Sequence, residues 1–238
     1  MPKSAPADSS VAKAGQALVD KLLTVGIAGA GPFKGAAAVA DEALASAKGD
    51  EGKAIRQLIA THVRLAGVNG FATGIVGIIT LPVSVPASVT GFYLLATRMT
   101  ASIAHVRGYD IQTEHVRSTI LVAILGSAGQ GVLKDVGIQI GTKSLAAALK
   151  KVPGRFFIEI NKKVGFRLIT KAGEKGVINM GKLVPFAGGP IGGTIDAAGM
   201  KGLSKYALRS FPEQAMGEPF LPDAEPTPEP ESGTEAPR

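Results

Sequence analysis

The feature that most constrains this chain is a run of 33 residues, residues 65–97, without a formally charged side chain. A helix that crosses a membrane needs about 20 predominantly apolar residues. Pro82 and Pro86 divide the run into stretches of 17 and 11 residues, and neither is a comfortable span. The run therefore predicts a helical hairpin centred on Pro82 and Pro86, which either forms a soluble core or dips into a bilayer.

Small residues recur within this hairpin. Gly70, Gly74 and Gly77 fall at helical spacing, which lets another helix approach closely. A second uncharged stretch, residues 183–195, is also rich in Gly and Pro and predicts another closely packed, kinked helix. If these stretches meet a bilayer, the three glycines and the two prolines are candidates for lipid-facing residues. If they do not, the same residues are packing contacts in a soluble protein, and both interpretations stay open.

The rest of the chain has helical periodicity, and 45 % of all residues are hydrophobic, enough for a sizeable core. No alternating run bounded by hairpin turns predicts a strand. We therefore expect an all-α protein with one helical domain over residues 11–211. Residues 1–10 are polar and predict a flexible N-terminus without the apolar stretch of a signal peptide, so export by that route is not expected. Residues 212–238 hold seven Pro and seven acidic residues, which predicts a disordered tail.

Charge is distributed unevenly along the chain. The net charge is +7, but residues 134–211 carry 14 Lys and Arg against 4 Asp and Glu, whereas the tail carries 1 against 7. A basic body with an acidic tail suits an anionic membrane surface, nucleic acid, or a tail that folds back on the body. Nucleic acid is not the expected partner, because no recognised binding motif accompanies the charge.

Many of the basic residues fall in a helix predicted to begin near Pro153. Its expected apolar side consists of Phe156, Phe157, Ile160 and Val164. The cations beside that side include Lys162, Lys163, Arg167 and Lys171. This pairing is typical of an interfacial helix on anionic lipid, where each basic residue near the surface contributes about 1 kcal/mol. The solvated face of a buried helix has the same pattern, so the pattern does not distinguish an interfacial helix from a buried one.

The residue inventory excludes several chemistries. With Cys 0, the chain has no disulfide, thiolate nucleophile or Cys-ligated metal. The chain has three histidines, which leaves little room for a His-rich metal site. The stretch from Gly137 to Ser144 resembles a P-loop but has three residues between its glycines where four are required, so nucleotide hydrolysis is not expected. We predict no cofactor and no metal.

One cluster, His105, Asp110 and His115, holds residue types suited to catalysis. An aspartate that orients a histidine is the minimum for general base catalysis, and two His with a carboxylate could hold a divalent metal. The alternative, which we favour, is structural: Asp110 caps the next helix, Tyr109 packs and His115 faces water. No catalytic residue is therefore assigned, and these three are the candidates only if the protein is an enzyme.

Three blocks of sequence, in order, resemble the bacterial EcsC family. They are residues 71–86, residues 103–117 and residues 182–196, and the resemblance as a whole covers about residues 36–211. The family-motif positions that we identify in the second and third blocks are Gly108, Tyr109, Asp110, Lys182, Pro185, Gly188, Gly192, Gly193 and Asp196. Ser84 stands where family members often carry an acidic residue, so a role for that acid does not transfer to this chain.

What the resemblance implies is an association with membranes. The family is named for a protein encoded beside the subunits of an ABC-type transporter, and the third block also resembles a segment of a small domain attached to membrane-associated GTPases. The leading hypothesis is a non-enzymatic accessory protein, cytoplasmic and peripheral or partly inserted at the cell membrane. Its expected partners are an anionic membrane surface or a membrane protein such as a transporter subunit. The alternatives are a soluble hydrolase that uses the His/Asp cluster, or a soluble helical scaffold.

Overall fold

A computed structural model describes residues 7–76, 81–139, 144–179 and 188–214, with side chains described except at residues 7–10, 74–76, 81–88, 171–179 and 188. Helix accounts for 79 % and strand for 2 % of the described part of the chain, which confirms the predicted all-α class. The α-helices of the described ranges are α1 (Ala7–Lys21), α2 (Ala36–Ser46), α3 (Glu51–Val76), α4 (Leu81–Val106), α5 (Glu114–Ile124), α6 (Ala128–Asp135), α7 (Leu145–Leu149), α8 (Arg155–Asn179) and α9 (Gly188–Ser210).

The link between α1 and α2 departs from regular α-helix. A π-helical segment, Leu22–Ala28, continues directly from α1. It leads into two short strands, β1 (Gly29–Ala30) and β2 (Phe33–Lys34), which pair antiparallel with Ala30 opposite Phe33. Sequence periodicity predicts helix at Phe33, but the chain turns there instead, and α2 begins after Gly35.

The two long helices α3 and α4 occupy the region of the predicted hairpin and pack against each other. α4 begins at Leu81, so both Pro82 and Pro86 lie inside this helix, and the prediction that the hairpin is centred on them is wrong. Pro82 is tolerated there because the first four N–H groups of a helix have no partner within it.

The core is built mainly on α4, α5 and α8, with further buried residues from α1, α3 and α9. α5 is its most enclosed element, since every residue from Ser118 to Ile124 is buried. Around α5 lie the fully buried side chains Met99 and Ile103 of α4, Ile160 and Leu168 of α8, and Met200 of α9. The chain leaves this core at Phe211, which is also fully buried.

Candidate functional site

Helices α3 and α9 meet through glycines. A Cβ added at Gly70 would lie 2.4 Å from the carbonyl oxygen of Gly192, and one added at Gly193 would lie 2.8 Å from that of Gly67. Side chains do not tolerate such distances, so the two backbones are in direct contact. This is the role in helix packing that the spacing of Gly70 predicts, and Gly70 therefore faces a helix of the protein and not lipid.

Polar side chains join three helices beside this contact. Asn69 Nδ2 donates a hydrogen bond to Asp196 Oδ2 over 3.4 Å, from α3 to α9. On its other side, Asn69 Oδ1 lies 2.6 Å from where a Cβ at Gly91 of α4 would be. Asp196, one of the family-motif positions, is thus a half-buried carboxylate that ties α9 to α3.

The glycine contact shows how the uncharged stretches are arranged. Gly70 lies near the end of α3 and Gly192 near the start of α9, so α3 ends and α9 begins at the same end of the molecule. We call the described residues 65–76 of α3 and 188–195 of α9 the apolar end. They belong to the two uncharged stretches, 65–97 and 183–195.

Large apolar side chains are exposed at this apolar end. Seven such side chains are exposed among the described residues, and five of them lie there: Leu65, Val68, Phe71, Ile191 and Ile195. Val68 is 66 % exposed and Ile195 48 %. Within the described residues, no helix combines the length and the apolar character that crossing a membrane requires.

Several predicted site residues lie outside the described residues or at positions whose side chains are not described. Gly77, Lys182 and Pro185 fall outside the described residues. Gly74, Pro82, Pro86, Lys171 and Gly188 lie in α3, α4, α8 and α9, but their surroundings are not described.

The apolar side of α8 packs inside the protein. Phe157, Ile160 and Val164 are at most 5 % exposed and belong to the core. At the crossing with α1, a Cβ at Gly165 would lie 2.6 Å from the carbonyl oxygen of Gly15, so this side of the helix is closed by backbone contact. Of the two interpretations left open for these apolar residues, the structure supports the buried one, because α1 and the core cover Phe157, Ile160 and Val164.

The cations of α8 differ in their surroundings. Lys162 is exposed, whereas Lys163 Nζ lies 4.0 Å from Glu159 Oε1 and Arg167 Nη2 lies 3.6 Å from Asp135 Oδ2. Ion pairs of this kind at a surface contribute little to stability. They leave the helix with a solvated basic face whose charge is partly balanced.

The structure does not bring His105 and Asp110 into one pair. His105 Nε2 lies 3.1 Å from Asp41 Oδ1 of α2, at the surface. Asp110 Oδ1 accepts a hydrogen bond from the backbone N–H of Gln112 over 2.9 Å and forms the turn before α5. The residue at the helix N-cap is Thr113 and not Asp110. Among the residues described, no three His, Asp or Glu side chains are grouped so that they could hold a metal ion.

His115 lies in the first turn of α5 and is half-buried, so the prediction that it faces water holds only in part. Its carbonyl oxygen accepts a hydrogen bond from Thr119 Oγ1 over 2.7 Å.

The motif around Gly108 holds the C-terminal end of α9. Tyr109 packs edge-on against Phe211 with ring centroids 5.1 Å apart, and its hydroxyl donates to the carbonyl oxygen of Pro212 over 3.1 Å. Arg107 Nη1 donates to the carbonyl oxygens of Phe211 and of Leu208, the latter over 3.0 Å. Gly108 makes the intervening turn with φ 75°. Burial raises the pKa of the Tyr109 hydroxyl, against the opposing effects of Arg107 and Gln214.

A second polar cluster, absent from the sequence predictions, lies inside the protein. His62 of α3 is fully buried, and its Nδ1 donates to the carbonyl oxygen of Leu58 over 2.8 Å. Its Nε2 therefore accepts the hydrogen bond that Arg98 Nε of α4 donates over 3.1 Å. The guanidinium carbon of Arg98 lies 4.0 Å from the centre of the Phe33 ring. We call these three residues the buried cationic cluster.

The environment keeps His62 neutral. Burial, reinforced by the nearby charge of Arg98 and opposed by the hydrogen bond to Leu58, lowers the pKa of His62 to about 4. One signal in the sequence could have found this cluster: His62 lies on the same helical face as Ile55 and Leu58, and Arg98 ends the uncharged run.

Comparison with known proteins finds no matching family model, no similar curated protein and no similar solved structure. The resemblance to the EcsC family therefore stays a prediction from the sequence motifs.

Proposed function

We propose that this protein is a non-enzymatic accessory protein that associates peripherally with an anionic membrane surface through its apolar end. A link to an ABC-type transporter rests on the family resemblance alone and is the narrower form of this proposal. In either form, the protein supplies a binding surface and no reaction.

One observation carries the proposal. Five of the seven exposed large apolar side chains in the described residues fall at the apolar end, in stretches without a charged residue. Large exposed apolar patches are rare on soluble monomers and mark sites of association with proteins or membranes. Each side chain that enters the interface would gain roughly 1.5–3 kcal/mol from burial.

Charge favours a membrane over an apolar protein partner. The chain carries a net charge of +7, and the exposed Lys162 of α8 belongs to the segment with the largest excess of cations. Basic residues near an anionic bilayer contribute about 1 kcal/mol each. Apolar contact and charge attraction would therefore act together on anionic lipid, and apolar contact alone on neutral lipid.

Cosedimentation of the full-length protein with vesicles tests this proposal. We expect binding to mixed phosphatidylcholine–phosphatidylglycerol vesicles that is stronger than binding to pure phosphatidylcholine. High salt should weaken the binding, because ionic screening acts on exposed charges. A protein that stays in the supernatant with both kinds of vesicle would refute the proposal.

One pair of variants locates the contact. The double substitution Val68→Gln with Ile195→Gln should weaken binding at least roughly tenfold, since two apolar side chains lose their insertion energy. Ile158→Gln is the matched control, because Ile158 is 59 % exposed and lies in α8, outside the apolar end. Equal effects within the pair would assign the contact to another surface.

A further inference from the structure

In the buried cationic cluster, the Nη edge of the Arg98 guanidinium makes no hydrogen bond to a described residue. Arg98 is only 8 % exposed, and its Nε is occupied by the hydrogen bond to His62. Neither Nη atom makes a hydrogen bond or an ion pair to a described residue. The Nε atoms of Arg107 and Arg117 are fully buried without a partner, a condition that the Nη atoms of Arg98 do not share. The 8 % of Arg98 that stays exposed is where a small anion would approach.

No carboxylate compensates this charge within the described residues. The ion pairs of those residues do not include Arg98, so no described Asp or Glu lies within 4.0 Å of it. The adjacent acidic residues of α2, which packs on α4, have other partners: Asp41 pairs with His105 and Glu42 with Lys34. Removing a guanidinium from water without a counterion is costly, and the Phe33 ring offsets only part of that cost.

The cluster also fixes the orientation of the guanidinium. The ring of Phe33 covers one face at 4.0 Å, and His62 holds the Nε edge at 3.1 Å. His62 is itself held by Leu58, so the remaining Nη edge has a fixed direction before any ligand arrives. A planar guanidinium in a fixed orientation matches two oxygens of a carboxylate or phosphate.

We propose that the Nη edge of Arg98 binds a small oxyanion, either phosphate or a carboxylate. His62 lies three residues before Leu65, where the apolar end begins, but Arg98 itself is buried and only 8 % exposed. We therefore expect its ligand to be a small free anion and not a lipid headgroup, and the experiments below distinguish these two sources. This inference does not depend on the proposed membrane association.

NMR titration of the full-length protein tests the site directly. Inorganic phosphate and acetate would each be added at constant ionic strength, with chloride as the reference anion. We expect the Nε–H signal of Arg98 and the ring signals of His62 to shift in a saturable way with phosphate or acetate, and not with chloride. If neither residue responds to either oxyanion, the proposal is wrong.

Variants separate binding at Arg98 from general effects of phosphate, which stabilises many proteins by exclusion from their surface. Thermal unfolding in phosphate and chloride would compare Arg98→Met with Arg64→Met, which removes an exposed arginine of α3. The extra stabilisation by phosphate should be lost in Arg98→Met and retained in Arg64→Met. If both variants retain it, phosphate binds elsewhere and the proposal is refuted.

Two further arms complete the test. If Arg98→Met fails to fold, Arg98→Lys takes its place in the test. This variant keeps a cation but loses the guanidinium fork, and should bind phosphate at least roughly tenfold more weakly than the original protein. Vesicles with phosphatidylglycerol should leave the Arg98 signal unchanged. If lipid shifts that signal and free phosphate does not, the assignment to a free anion is wrong.

Discussion

Arg98 of α4 and His62 of α3 form a buried hydrogen bond in which Nε of the arginine donates to Nε2 of the histidine over 3.1 Å. The bond requires neutral His62, because a protonated ring has no acceptor at Nε2. Protonation would also place two positive charges together in a region without a described carboxylate partner. The two longest helices of the fold are thus joined through a group that titrates.

The first prediction concerns acid stability. The pKa of His62 is about 4 in the folded protein and 6.5 for the unperturbed side chain, so the unfolded state binds the proton first as the pH falls. The contribution of His62 to stability should be complete above pH 6.5, decline by about 1.4 kcal/mol per pH unit down to pH 4, and change no further below it. The total loss should be about 3 kcal/mol.

Urea unfolding at a series of pH values measures this slope. The control is His62→Gln, which removes the titrating ring. The variant should show a shallower decline than the original protein between pH 6.5 and 4. Equal slopes would show that His62 doesn't set the acid stability.

A second prediction concerns the contact between α3 and α9. Gly70→Ala should destabilise the fold by about 1–3 kcal/mol, because the new methyl group would meet the backbone of Gly192. Gly202→Ala in α9 is the control: nothing lies within 4 Å of its added Cβ, so it should stabilise by about 0.5–1 kcal/mol through helix propensity. Chemical denaturation measures both changes. If both substitutions stabilise the protein, the helices do not meet at Gly70.

The third prediction concerns the end of α9. Arg107→Met should remove the hydrogen bonds to Leu208 and Phe211 and loosen the last turn of the helix, at a cost of about 2–3 kcal/mol. Arg209→Met removes an exposed arginine in the same turn and should have little effect. Amide hydrogen exchange at residues 207–213 should rise in the first variant only. Unchanged protection there would contradict the assigned role of Arg107.

The fourth prediction compares two residues of the His/Asp cluster. His105→Ala should change the free energy of unfolding by less than about 1 kcal/mol, because its pair with Asp41 lies at the surface. Asp110→Ala should cost about 1 kcal/mol or more, since the turn before α5 loses its hydrogen bond to Gln112. Thermal denaturation measures both, and a larger loss for His105→Ala would reverse the assignment.

Local patterns in the sequence predict part of this structure well. Apolar residues at helical spacing mark the faces that α5 and α8 bury, and Phe157, Ile160 and Val164 are in the core. The partner of that face is not readable from the pattern, because an apolar stripe is equally suited to lipid and to protein. The crossing of α8 with α1 at Gly15 decides it.

At Pro82 and at Phe33, the structure differs from the sequence prediction for the same physical reason. Pro82 suggests a break, but as the second residue of α4 it is tolerated, since the first N–H groups of a helix have no partner there. Phe33 continues a helical pattern, but it instead covers the guanidinium of Arg98 from a short strand. In both cases the chain turns at a different position from the one that the local residues suggest.

The helical class, the uncharged stretches and the glycines that allow close packing can be read from the amino-acid sequence, since each is a property of a few turns of chain. Which side chains meet cannot be read there and follows from the folded arrangement of the helices. His62 and Arg98 are 36 positions apart, His105 and Asp41 are 64 apart, and Arg107 and Leu208 are 101 apart. Such pairs depend on which helix faces pack together, and that choice is made by the burial of the whole core and not by any local pattern.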